Sequence, residues 1–114
     1  MDLTLPAQPP TSARALELLN ATRALVEHVV LPGVAEWDRE DELPDAVFDR
    51  IVELGIPGAL VPADYGGPGL GVAQMAPVWR ALSQGWISLT GAVNPSGLAT
   101  TLLVRHGTEE QRRR

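Results

Sequence analysis

The stretch SARALELLNATRALVEHVV, residues 12–30, decides the fold class. Ala15, Leu18, Leu19, Thr22, Leu25, Val26, Val29 and Val30 fall on one stripe at helical spacing. Glu17, Asn20, Ala24, Glu27 and His28 lie opposite, so the segment predicts an amphipathic helix of about five turns. Thr11 or Ser12 supplies its N-cap. Leu31-Pro32 interrupts it, because a residue before proline avoids helical dihedrals, and Pro32 opens a short helix carrying Ala35, Trp37 and Arg39.

Outward from there the pattern stays helical. Asp38-Arg39-Glu40-Asp41-Glu42 reads as a solvated loop; acid–base work would need one of these carboxyls desolvated. Leu43-Pro44 opens a helix with Val47, Phe48, Ile51 and Val52 inward and Gly55 at its C′ position. Gly55 to Gly71 holds three prolines and six glycines around the apolar thread Ile56, Ala59, Leu60 and Val61. This is a buried connector, since Pro57 and Pro62 would each remove a ladder donor from a strand. A further amphipathic helix buries Val72, Met75, Ala76, Trp79 and Leu82, with Pro77 in its first turn or kinking it. The last long segment spans about Ser88 to Arg105. No stretch alternates as a strand does, so the chain is all-α, with five to six helices.

Composition narrows the function. The chain has 114 residues, enough for one domain, and residues 1–11 read as a disordered arm before it. All nine basic residues are arginine and fourteen are acidic, a net charge of −5, which disfavours nucleic acid. Cysteine is absent, so disulfides, zinc–thiolate sites and thiol nucleophiles are excluded. The first residues lack a signal-peptide pattern, which leads to the expectation of a cytoplasmic protein.

Other motifs fall to plainer readings. Gly66-Gly67-Pro68-Gly69-Leu70-Gly71 misses the dinucleotide fingerprint and follows no strand, so it is a tight turn. His28 and His106 have no companions at metal-ligand spacing. Asn94-Pro95-Ser96-Gly97 is not a nucleophile elbow. Ala81 to Val104 runs 24 residues without a charge, a length that matches a membrane span. Its polar load and three glycines argue instead for a helix buried against protein or ligand. Thr108-Glu109-Glu110-Gln111 is a capping box for a helix that the remaining Arg112, Arg113 and Arg114 do not complete, so the chain is expected to be part of a longer one.

Glu36-Trp37-Asp38-Arg39-Glu40, Leu43-Pro44, Leu54-Gly55-Ile56-Pro57-Gly58 and Val61 to Gly71 resemble the acyl-CoA dehydrogenase amino-terminal domain. Arg105 to Arg112 resembles that family's GTEEQ junction. The order and spacing agree from about Leu16 to Arg114. The resemblance implies the first, helical domain (residues 12–114) of an FAD enzyme that converts an acyl-CoA to the trans-2-enoyl product. A middle β-domain and a carboxy-terminal helical domain with the catalytic glutamate would lie elsewhere, so no catalytic residue is assigned here. It also implies acyl-CoA as substrate, an electron-transfer partner, and a homo-oligomer for the full protein. Leu89, Thr90, Val93 and Gly97 would form part of the acyl-chain wall. Pro77, Gly85-Trp86 and Asn94-Pro95 depart from the family pattern and would suit an unusual acyl thioester. The alternative is a non-catalytic helical module that works through a partner.

Overall fold

The computed structural model describes residues 12–114, and the expected arm over residues 1–11 lies outside them. Helix α1 spans Ala13–Leu25, and Ser12 caps it by accepting the Ala15 amide on Oγ at 3.2 Å. The chain does not break at Leu31-Pro32 as expected. It passes through a π-turn, Val26–Val30, straight into α2, Leu31–Glu40. The Leu31 amide reaches back five residues to the Val26 carbonyl. Pro32 brings no amide, and its ring crowds the carbonyl four residues earlier; the wider turn makes room and keeps the rod helical. The same widening carries Val29 off the inward stripe, leaving it 36% exposed, while Val30 is buried.

Asp38, Arg39 and Glu40 belong to α2 and not to a loop. The rod ends where Asp41 takes a left-handed conformation, φ 54°, which a short polar side chain tolerates. Helix α3, Asp45–Glu53, buries Val47 and Ile51, but Val52 faces solvent and Phe48 is half-buried. Gly55 follows with φ +79°, the left-handed C′ position read from the sequence.

The connector is packed as expected. Ile56, Ala59 and Leu70 join the core, and a short 3-10 turn, Ala63–Tyr65, leads into the glycines. Gly66 and Gly69 both have positive φ, which suits residues without a Cβ. The amides of Gly66, Gly67, Gly69 and Leu70 bond the carbonyls of Ala63, Pro62, Val61 and Ala59. The Gly71 amide bonds Gln74 Oε1 at 2.9 Å. All five are spent internally, so the run is a turn and offers no cradle to a phosphate.

Helix α4, Val72–Gly85, buries Met75, Val78, Ala81 and Leu82. Val72 and Ala76 are exposed and Trp79 is half-buried, so the inward face is rotated from the stripe read in sequence. The cause is the close approach of α4 to the rod. A Cβ on Gly85 would stand 2.7 Å from Val26 Cγ1, so the contact is centred on α4's small residues and not on its tryptophan. Pro77 lies inside α4, beyond its first turn, and α4 runs through it.

Helix α5, Ile87–His106, packs on α4 through Leu89 and Val93 and continues through Asn94-Pro95. Gly107 then ends the helix in extended backbone, φ −74° and ψ 156°. It is small because a Cβ would come within 2.6 Å of the Leu103 carbonyl oxygen. Helix α6, Glu109–Arg113, starts on the full capping box: Thr108 Oγ1 accepts the Gln111 amide and Gln111 Oε1 accepts the Thr108 amide. No strand occurs among the described residues. The core is one cluster drawn from α1, the π-turn, α3, the connector, α4 and α5, and Thr22, its buried polar member, donates its hydroxyl to the Leu18 carbonyl at 2.7 Å.

Candidate acyl-chain wall

Three residues of the expected wall, Leu89, Val93 and Gly97, recur every fourth position of α5 and share one face. Leu89 is fully buried and Val93 is 3% exposed, both inside the domain's own core. Gly97 is half-buried, and an added Cβ would lie 3.5 Å from Leu60 Cδ1 and 4.0 Å from Trp79 Cζ2. Thr90 stands one position round, its hydroxyl 2.7 Å from Ser83 Oγ. Both hydroxyls are within hydrogen-bond distance of the Trp79 carbonyl, Ser83 Oγ at 2.9 Å and Thr90 Oγ1 at 3.4 Å. The four residues therefore divide. Thr90 and Gly97 lie at an edge with Trp79 and Leu60, while Leu89 and Val93 stand behind it.

The outer side of α5 is open. Ile87, Leu98 and Leu102 are each 60% exposed or more, and Gly91, Asn94, Pro95 and Ala99 lie beside them. By length and composition α5 could also cross a membrane, a test that helices of soluble proteins pass as well. A cleft of about 530 Å³ lies elsewhere, between α1 and the connector, lined by Leu18, Ala21, Leu54, Ala59 and Val61 together with Arg14 and Glu17. None of the four wall residues reaches it. Its mixed, open lining gives no convergent polar group, so the uncharged α5 face is the better candidate.

The profile of the acyl-CoA dehydrogenase N-terminal domain matches residues 12–114. The chain belongs to the acyl-CoA dehydrogenase family. It is 32% identical to a mitochondrial isobutyryl-CoA dehydrogenase of Bos taurus over 73% of this chain and 20% of the relative. It is also 32% identical to a (2S)-methylsuccinyl-CoA dehydrogenase of Cereibacter sphaeroides over 79% of this chain and 17% of that protein. A probable medium-chain specific acyl-CoA dehydrogenase of Caenorhabditis briggsae matches at 28% over 86% of the chain and 24% of the relative. The chain thus spans about a fifth of the length of these relatives.

Two polar contacts escaped the sequence reading. Asp38, read as a solvated acid, accepts the Trp86 indole N–H at 3.0 Å, and the Trp37 and Trp86 rings lie 6.3 Å apart, tilted by 38°. The partner is 48 residues away, and only the Gly85-Trp86 departure from the family pattern hinted at it. The second joins the GTEEQ junction to the connector. Tyr65 OH donates to Glu109 Oε2 at 2.8 Å, Arg113 pairs with Glu109 at 2.8 Å, and Arg113 sits 5.5 Å above the Tyr65 ring. Arg112 is half-buried, and its Nε donates to the Leu103 carbonyl at 3.2 Å.

The Tyr65 hydrogen bond, helped by Arg113, holds the Glu109 carboxyl below its ordinary 4.5. A carboxyl depressed in the folded state contributes above its unfolded pKa, and the contribution is lost as pH falls through the lower folded value. A carbon-13 NMR titration of Glu109 should therefore give a higher midpoint in Tyr65→Phe than in the parent chain. Equal midpoints would remove the Tyr65 contact as the cause.

Proposed function

We propose that this domain is the N-terminal part of a cytoplasmic, FAD-dependent dehydrogenase acting on acyl-CoA thioesters, and that α5 forms one wall of its acyl pocket. The observation that carries the reading is α5 itself: uncharged from Ile87 to Val104, committed to the core through Leu89 and Val93 and open on its other side, with Thr90 and Gly97 at the boundary. Such a face suits a ligand or protein surface equally lacking in charge. The substrate is an acyl-CoA, the product its trans-2-enoyl thioester, and an electron-transfer partner reoxidises the enzyme, which assembles as a homo-oligomer. The alternative remains a non-catalytic helical module that binds an acyl group or partner helix.

FAD, when bound, accepts the hydride. The described residues do not make a site for it alone: every buried side-chain nitrogen and oxygen already has an internal partner, and the glycine-turn amides are spent. On this reading flavin binding and the catalytic base are the work of the further domains that the family resemblance implies. The work of this domain is shape.

The test is to purify the complete polypeptide whose reading frame contains this chain. It is then assayed with isobutyryl-CoA, (2S)-methylsuccinyl-CoA and a medium-chain thioester, using a dye acceptor. The expected result is a yellow protein that forms enoyl-CoA from at least one of them. A colourless protein inert to all three overturns the reading in favour of the module. Gly97→Ala, whose methyl fits at ordinary contact distance, should cut kcat/KM about tenfold for the bulkiest accepted thioester and spare the smallest.

A further inference from the structure

We propose that Asp38 is a positioning residue for the acyl wall: its carboxylate holds the Trp86 indole and so fixes the direction in which α5 leaves α4. This inference rests on the reading of α5 as the wall.

Trp86 is both the C-cap of α4 and the N-cap of α5, in extended backbone at φ −163° and ψ 115°. One residue therefore sets the angle between two helices of 14 and 20 residues. No side chain caps the first turn of α5. One constraint on the angle comes from α2. Trp86 is 9% exposed, its Nε1 donates to Asp38 Oδ1 at 3.0 Å, and its ring leans on Trp37. An indole buried this far needs an acceptor, and here a carboxylate supplies a charge-assisted one.

The neighbouring residues work to the same end. Gly85 brings the end of α4 against Val26 and Val30 of the π-turn, with no room for a Cβ. Beyond the hinge, the Ser83–Thr90 hydroxyl pair ties the first turns of α5 back to α4. The hinge is thus clasped on both sides, and Thr90 and Gly97 take their places from it. Asp38 touches no substrate; it acts through Trp86.

Two measurements decide this. In the 114-residue chain, the Trp86 indole N–H signal is assigned by its loss in Trp86→Phe. Asp38→Ala should shift that signal upfield and speed its exchange with water, and Asp38→Asn, which keeps an acceptor oxygen, should restore both in part. In the complete polypeptide, Asp38→Ala should raise KM for the bulkiest accepted thioester up to about tenfold, the scale of one charged hydrogen bond, with kcat nearly unchanged. Asp38→Asn should recover most of it. An indole signal indifferent to Asp38→Ala overturns the clasp. A clasp confirmed in the chain, with kcat and KM falling alike for every thioester, overturns positioning and leaves a stabilising contact. A parent polypeptide that turns over no thioester ends the acyl-wall reading, and the positioning role with it, while the indole signal still reports the clasp.

Discussion

Leu89→Ala is expected to lower the unfolding free energy of the chain by about 2–5 kcal/mol, the usual result of emptying a fully buried leucine site. Leu89 has no exposed surface and stands among the residues of the single core cluster. Domains of this size are stable by only about 5–15 kcal/mol, so the loss is a large share of the total. The midpoint of thermal unfolding should fall by roughly 10 °C or more. Leu102→Ala, on the same helix but 63% exposed, should change stability by less than about 0.5 kcal/mol. The pair separates two roles that the sequence could not separate. If Leu89→Ala melts like the parent, Leu89 is not a core residue and is free to face an acyl chain. If it collapses while Leu102→Ala does not, any activity lost through Leu89 is lost through folding, and the contact surface of the wall lies at Thr90, Gly97 and the open side of α5.

The helices were legible because their apolar spacing repeats at the helical period. Ala15, Leu19, Thr22, Leu25, Val26 and Val30 are all buried as the stripe requires. The errors have particular causes. Val29 left the stripe because the turn widened ahead of Pro32, and periodicity assumes an unbroken helix. On α4 the tryptophan drew the inward face toward itself, while packing selected Ala81 and Gly85, whose smallness lets two helices meet. Large apolar residues announce burial; small ones that permit close approach do not stand out in a single sequence.

The site was less legible for a related reason. Spacing placed Leu89, Val93 and Gly97 on one face but did not say whether that face looks at α4 or at a ligand. The burial is what the structure adds: Leu89 and Val93 lie in the same core cluster as Met75 and Leu82. Asp38 was hidden by its company. Within a run of acids a carboxylate looks solvated, and only the fold brings Trp86 to it across 48 residues.

Gly67→Ala should be nearly as damaging as Leu89→Ala, though it adds one methyl and removes nothing. Gly67 does not need positive φ; it needs the absence of a Cβ, which would overlap the Val61 carbonyl and side chain. A flexible side chain could swing away from such a methyl, but Val61 meets it with backbone. That backbone is pinned, because the Val61 carbonyl accepts the Gly69 amide at 2.8 Å and the neighbouring Pro62 carbonyl accepts Gly67's own amide at 3.1 Å. Relief must break one of these bonds or lift Leu70 and Ala59 from the core, so a cost of about 2–3 kcal/mol follows from overpacking. Gly91→Ala is the matched control: mid-helix, with nothing within 4 Å of an added Cβ. There the same methyl should stabilise α5 by about 0.5–1 kcal/mol, since glycine inside a helix costs that much relative to alanine. Urea unfolding of both variants reads the sign directly. Opposite signs mean that the glycine run is built around Val61. Two stabilising alanines would mean that the connector is loose enough to yield, and that the turn's shape is not what positions Leu60 beside Gly97.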